Sequence, residues 1–284
     1  MSLPPLAQDL PPEARRIEAL ARRFATPCEG GSIAWHVWGD DGAPPMVLLH
    51  GGSGSWAHWM RNVLPLAEAG WRVIVPDLPG FGDSAAPPQV RDADGMATPV
   101  REGLRQIVGD TPATFVAFSF GSLVASLLAQ AHPEAVARLV IIGAPGLGLR
   151  DARLKLYDWR HLPTQEERDA VHRRNLGILM LGEAAIDDTA VRIQAANLPR
   201  DRMRRRRLAL TDILARTLPE LQCRVDAIYG DNDALYRDLL PELKAAFARF
   251  PTVRQLVFIP GGAHWIQYEN PPQFQHALLT LLAS

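Results

Sequence analysis

Cysteine is scarce: Cys28 and Cys223 stand alone in 284 residues. Two distant thiols cannot build a disulfide scaffold, and without clustering they do not mark a structural zinc site. Both are expected to be free, buried thiols in a reducing compartment. An excess of charge is lacking too, since 30 Lys and Arg face 31 Asp and Glu for a formal net charge of −1. That balance removes any general attraction to nucleic acid or to an anionic membrane. Long apolar runs are also missing, none reaching the roughly 18 residues of a membrane span. The stretch from Met1 to about Arg23 is broken by Pro4, Pro5, Pro11 and Pro12 before a short charged helical pattern. It has no apolar centre of a signal peptide, so a cytoplasmic location is expected. Internal repeats and low-complexity tracts are absent as well.

What is present is the balance of an ordinary globular protein, 47% apolar and 21% charged. The length suits one large α/β domain, or one domain carrying a sizeable insertion. From Ser32 to Trp38 apolar and polar residues alternate, and Gly39 to Pro45 then breaks the run, predicting an N-terminal antiparallel pair. Short, nearly continuous apolar runs follow at Met46 to Leu49, Trp71 to Pro76, Thr114 to Ala117 and Leu139 to Ile142. Strands covered on both faces read this way. Helical patterns around Trp59 to Glu68, Val100 to Val108 and Phe120 to Ala131 separate them, so the economical reading is a mostly parallel sheet flanked by helices.

The rhythm changes between Leu147 and Leu221, where helix-like segments rich in Arg, Leu and Ala carry no convincing strand. Alternation returns with Arg224 to Tyr229, Pro241 to Phe250, Val253 to Ile259 and Pro272 to Leu282. The pattern implies a core formed by residues 1–146 and 222–284, with a helical cap inserted at 147–221. Arg202 and Arg204 to Arg207 lie in this insert. Consecutive residues on a helix point all round it, so the cluster is read as a solvated surface.

Four segments carry candidate chemistry. Ser119, in Ala117-Phe118-Ser119-Phe120-Gly121, falls between a strand and a helix, with small residues two before and two after it. A sharp turn that exposes a nucleophile needs that spacing; alone, the string reads equally as a helix N-cap. His50-Gly51-Gly52-Ser53-Gly54 follows a strand, and its glycines can present N–H groups to a developing oxyanion. Gly52 is one candidate donor and the Phe120 amide the other. The string matches neither Gly-x-x-x-x-Gly-Lys-Ser/Thr nor Gly-x-Gly-x-x-Gly, which disfavours nucleotide binding. His264, in a loop of small residues after a strand, suits general-base work at neutral pH. Asp231 and Asp233, just beyond the strand ending at Tyr229, compete on spacing as the carboxylate that orients it. Serine, acid and histidine occur in that order, each after a predicted parallel strand, where open α/β sheets place their ligands.

These segments, with Asp77-Leu78-Pro79-Gly80-Phe81-Gly82-Asp83-Ser84, resemble the α/β-hydrolase superfamily from about Ser32 to Leu282. The resemblance implies that the acid lies three residues after Gly230, favouring Asp233, and that the aspartates of the Asp77 turn are structural. Ser119 argues against the epoxide hydrolases and haloalkane dehalogenases, which use aspartate as nucleophile. Among subfamilies the chain is similar to the meta-cleavage product hydrolases, which split a carbon–carbon bond. That similarity rests on His50 to Gly54, on His264-Trp265-Ile266-Gln267-Tyr268-Glu269, and on Arg192 in the cap, where the group binds a substrate carboxylate. It adds Ser53, Phe118, Arg192 and Trp265 as substrate-contact candidates, although Trp265 and Arg192 read equally as a packing aromatic and a surface residue. Phe118 and Phe120 replace the polar residue and methionine that flank the serine in that group, which points to an apolar acyl pocket.

The resulting expectation is a serine hydrolase acting on a small carboxylic ester through an acyl-enzyme on Ser119, with a small-molecule substrate and no metal or cofactor. Carbon–carbon bond hydrolysis is the alternative, and a binding protein on a hydrolase scaffold is a third reading. Substrate and oligomeric state are not legible in one sequence.

Overall fold

The computed structural model describes residues 9–150, 154–203 and 206–284. Among them, eight strands form one sheet: β1 (Arg22–Cys28), β2 (Gly31–Trp38), β3 (Pro45–Leu49), β4 (Arg72–Pro76), β5 (Ala113–Phe118), β6 (Val136–Ile142), β7 (Arg224–Gly230) and β8 (Val253–Ile259). They lie in the order β1-β2-β4-β3-β5-β6-β7-β8. The pairings β1 with β2 and β2 with β4 are antiparallel, and every pairing from β4 to β8 is parallel.

The helices are α1 (Pro12–Glu18), α2 (Val63–Glu68), α3 (Ala97–Val108), α4 (Phe120–Ala131), α5 (Gln165–Leu179), α6 (Asp188–Asn197), α7 (Ile213–Thr217), α8 (Leu240–Phe247), α9 (Ile266–Glu269) and α10 (Pro271–Ala283). Because side chains alternate along a strand, the apolar runs divide between two cores. Val47, Leu49, Phe115, Ala117, Leu139 and Ile141 pack with α3, α4, α7 and α8. Met46, Leu48, Val116, Phe118, Val140 and Ile142 pack with α1, α2, α5, α6 and α10. No described helix is long and apolar enough to cross a membrane.

The N-terminal antiparallel pair differs from the expected one. β2 pairs with β1 and with β4, not with β3 across the Gly39 to Pro45 turn. β3 instead enters the sheet parallel between β4 and β5. β1, Arg-Arg-Phe-Ala-Thr-Pro-Cys, has only one fully buried position, so it lacks the alternation that would announce it. Pro27 and the exposed Arg22 place it at the sheet edge, where a missing N–H costs least. β8 closes the other edge with Arg254 and Gln255 exposed.

Between β6 and β7 the described residues form only helices and turns. The arginine cluster there is not helical at Arg202, Arg206 and Arg207, so the view of it as a solvated helix surface is corrected. Arg202 donates to the carbonyls of Gly82 and Ser84, and Arg206 reaches the cavity described below. Arg204 and Arg205 lie outside the described residues, as do Pro4 and Pro5. Cys28 and Cys223 are both free and only partly buried, and burial raises both thiol pKa values.

Gly230 ends β7 against the loop before His264, and a Cβ there would overlap the Gly262 carbonyl oxygen. Neither backbone can move cheaply, because Gly262 O also accepts Asn232 N–H at 2.9 Å. Gly230→Ala is therefore expected to cost about 1–3 kcal/mol as a local overpacking defect. A chemical-denaturation midpoint equal to that of the parent would contradict this.

Candidate active site

Three connections from the parallel part of the sheet converge at its carboxyl edge. The first is the turn from β5 into α4. Ser119 occupies it with φ 50° and ψ −118°, a left-handed conformation that non-glycine residues avoid. The strain holds because Ser119 N–H donates to Ile142 O at 2.7 Å and the helix begins immediately. Gly121 is needed for close approach: a Cβ there would stand 2.5 Å from His50 O and 2.8 Å from Leu49 O. The strand before β5 in space thus packs directly on the helix, as the small-residue spacing requires.

The second connection follows β7. Asp233 is fully buried and sits in a turn in which its carbonyl accepts Tyr236 N–H at 2.8 Å and Arg237 N–H at 2.7 Å. Its Oδ1 accepts Leu235 N–H at 2.8 Å, leaving Oδ2 aimed at the histidine. The third follows β8 and carries His264, only 2% exposed. His264 Nδ1 lies 2.8 Å from Asp233 Oδ2, and Nε2 lies 3.0 Å from Ser119 Oγ. A carboxylate accepts, so Nδ1 bears the proton toward Asp233 and Nε2 can accept the serine hydroxyl. The competitor Asp231 is occupied elsewhere, its Oδ1 accepting Gly261 N–H at 2.6 Å across the same loops.

Ser119 and His264 open on a cavity of about 300 Å³, walled by apolar side chains including Leu147, Leu149, Leu156, Leu179, Met180 and Leu210. Gly52, Ser53, Phe118 and Phe120 line it as well. Gly52 and Phe120 thereby stand beside the serine, and the Phe120 amide opens α4, where first-turn N–H groups have no partner within the helix. Phe118 is buried beneath, its ring 5.0 Å from that of His264. A larger, more open depression of about 760 Å³ is lined by Arg173, Arg174 and Gly177 of α5 and shares Leu179 with the cavity, but holds none of the three converging side chains.

Two substrate-contact candidates, Trp265 and Arg192, lie outside the cavity and match their other reading, as a packing aromatic and a surface residue. Trp265 is 1% exposed, stacks on Tyr268 at 4.2 Å and donates Nε1–H to His58 O at 3.0 Å, so it packs the core under the loop and does not line the cavity. Arg192 is exposed on α6, where its neighbours Val191 and Ile193 take the buried face. It does not line the cavity.

The glycine-rich loop is fixed from below and above. Leu78 N–H donates to His50 Nε2 at 2.9 Å, so Nδ1 carries the proton and donates to Gly51 O at 2.7 Å. Asp77 accepts Trp56 N–H at 2.7 Å and Asp83 N–H at 2.8 Å, a bracing role for the turn carboxylate. From above, Asp201 accepts Ser53 Oγ–H at 2.6 Å and Arg206 Nη1–H at 2.9 Å. Arg206 Nη2 also donates to Ser53 Oγ at 3.1 Å. Sequence reading missed Asp201 and placed Arg206 on a solvated face, because neither has a local pattern that reports a partner some 150 residues away. Among the described residues no group of three or more His, Cys, Asp or Glu side chains could hold a metal ion.

A serine on a strained turn after β5, a buried acid after β7 and a histidine after β8 are the arrangement of the α/β-hydrolase fold. A family model described as alpha/beta hydrolase fold matches residues 44–180, and the chain has that fold. The chain is similar to a 2-hydroxy-6-oxo-6-phenylhexa-2,4-dienoate hydrolase of Burkholderia cepacia, 26% identical over 94% of this chain and 98% of the relative. A 2-hydroxy-6-oxononadienedioate/2-hydroxy-6-oxononatrienedioate hydrolase of Comamonas testosteroni is also 26% identical, over the same shares of the two chains. Among solved structures, an esterase from Rhodococcus superposes with a TM-score of 0.74 at 25% identity, covering 93% of this chain and 99% of its own. A carboxylesterase from Bacillus subtilis shares the fold with a TM-score of 0.76 at 16% identity.

His58 and His50 are buried under the site. Desolvation, reinforced by the nearby His50 and His264, pushes the His58 pKa well below 6.5. Desolvation also lowers His50, with Asp77 opposing. Both titrate near 6.5 once unfolded, so below that pH the unfolded chain binds more protons than the folded one. Their stabilising contribution is present above about pH 6.5 and lost as pH falls. The thermal midpoint is expected to drop between about pH 7 and pH 5, and His58→Gln to flatten that slope by up to about 1.4 kcal/mol per pH unit. Equal slopes in parent and variant would contradict this account.

Proposed function

We propose that the protein hydrolyses small carboxylic esters through an acyl-enzyme on Ser119. The observation that supports this best is the unbroken hydrogen-bonded chain from Asp233 through His264 to Ser119, ending at a largely apolar cavity. Ser119 Oγ attacks the carbonyl carbon while His264 Nε2 takes its proton. Asp233 keeps the ring oriented and stabilises the imidazolium that forms. The negative charge on the carbonyl oxygen is met by the Gly52 and Phe120 amides, preorganised by the left-handed Ser119 turn and the bonds around His50. His264 then gives its proton to the departing alcohol. Water, activated by the same nitrogen, releases the acid.

In this reading residues 147–221 form a cap over residues 1–146 and 222–284, and cap residues Leu149, Leu156, Met180 and Leu210 receive the acyl group. A volume of about 300 Å³ is at the small end for ligand pockets. The substrate is accordingly a short or compact acyl ester, and burial of its apolar surface contributes about 25 cal/mol per Å² to binding.

Carbon–carbon bond hydrolysis is the second reading, favoured by the dienoate hydrolases that the chain resembles along 94% of its length. Against it, the carboxylate-binding role expected of Arg192 has no support from that residue's exposed position. Arg150 and Arg206 do line the cavity, and Arg206 is ion-paired there with Asp201.

Ser119→Ala is expected to lower hydrolysis of p-nitrophenyl esters by about 10⁴-fold or more while leaving the unfolding midpoint unchanged. Retained turnover in that variant would overturn the assignment of the nucleophile. A series of p-nitrophenyl esters of rising chain length, run beside a 2-hydroxy-6-keto-dienoate followed by its visible absorbance, separates the two substrate classes. Turnover of short esters with no bleaching of the dienoate is expected, and the reverse would replace the ester reading by the carbon–carbon one.

A further inference from the structure

His264 is held on both sides by one carboxylate and one carbonyl, and both holds lead to the same place. Glu269 Oε2 accepts the N–H of Ala263, the residue before the histidine, at 2.6 Å. Glu269 Oε1 accepts the N–H of Gly182 at 2.9 Å. The residue after the histidine, Trp265, donates its N–H to Met180 O at 2.7 Å. Gly182 and Met180 belong to the segment that leaves α5, and Leu179 and Met180 of that segment line the cavity. Glu269 itself ends the short helix α9, five residues after the histidine. It shares its immediate neighbourhood with a second tie: Tyr268 O–H donates to Asp187 Oδ1 at 2.7 Å, and Arg61 bridges Tyr268 O and Asp187 Oδ2.

From this geometry, and resting on the proposed hydrolase reading, we infer that Glu269 is a positioning residue that couples the cavity wall to the general base. Its two oxygens spend one hydrogen bond on each side of the joint, so the His264 loop and the α5 end keep a fixed separation. A neutral group at that position cannot do the same. Glutamine keeps nearly the same volume and length but offers one accepting oxygen, and its NH2 then faces an amide donor. One of the two ties is lost while the fold keeps its packing. A base displaced by a fraction of an ångström from the serine loses rate in the chemical step, since proton transfer and attack depend steeply on alignment. Loss of the Gly182 tie also lets the Leu179–Met180 wall relax, and this widens acyl preference.

The test compares parent, Glu269→Gln and Glu269→Ala by the rate of covalent labelling of Ser119 with a fluorophosphonate, steady-state ester kinetics and thermal unfolding. Labelling and kcat are expected to fall by about tenfold or more in the glutamine variant, with KM within about twofold and the midpoint close to that of the parent. Alanine, which removes both ties, falls further. The ratio of long-chain to short-chain ester turnover is expected to rise in both variants. Parent-like labelling by Glu269→Gln, or a rate loss in proportion to a loss of folded protein, would overturn the inference. Parent protein that does not label at Ser119 would instead overturn the hydrolase reading, so the two failures are distinguishable.

Discussion

A serine hydroxyl in water is a feeble nucleophile, and under the proposed reading its activation depends on distances that one chain segment cannot set. Ser119, Asp233 and His264 come from turns after three different strands, with hydrogen-bond distances of 3.0 Å from serine to histidine and 2.8 Å from histidine to carboxylate. Those distances follow from the parallel register of β5, β6, β7 and β8, which brings the carboxyl ends of the strands to one edge. The two cores hold that register, because every alternate side chain of β3, β5 and β6 is committed to one face or the other. A slip of one residue would exchange the faces and disperse the site.

The edge of the sheet is then finished by residues that do no chemistry. His50 pins the glycine-rich loop through both ring nitrogens, and Asp77 ties that loop to the turn after β4. Asp231 closes the loop on the far side of Asp233. Asp201 and Arg206 reach down from the helical segment to Ser53, which also takes a left-handed φ of 53°. Two strained residues, Ser53 and Ser119, thus flank the cavity, and each is kept in place by hydrogen bonds from a different part of the chain.

Much of this was legible before any coordinates because local signals happened to coincide with function. The mostly parallel sheet announced itself in short apolar runs, and the turn at Ser119 in the small residues Ala117 and Gly121. Each depends on sterics within a few residues. What was illegible depends on partners far apart in sequence. β1 carries no alternation because it sits at a sheet edge, so the antiparallel pair was assigned to the wrong neighbour. Trp265 and Arg192 both flank well-marked segments, but only the three-dimensional packing shows one buried under the loop and the other in solvent. The run of arginines suggests a solvated helix, whereas the stretch at Arg206 is irregular and directs that side chain to Asp201 and Ser53. Spacing alone leaves Asp231 and Asp233 level and the resemblance favours Asp233, which is the one hydrogen-bonded to His264.

The two margins of the sheet have a consequence for how copies of this protein meet. An exposed strand margin is a template on which another chain can continue the sheet, the first step of many fibrillar assemblies. Here one margin carries Pro27, which has no N–H to offer, with charged Arg22 at its start. The other carries the exposed Arg254 and Gln255 on β8. Continuing the sheet there would forgo a backbone donor at Pro27 and bury the ion pair between Arg22 and Asp41 on one side and the charge of Arg254 on the other, so both margins are poor templates.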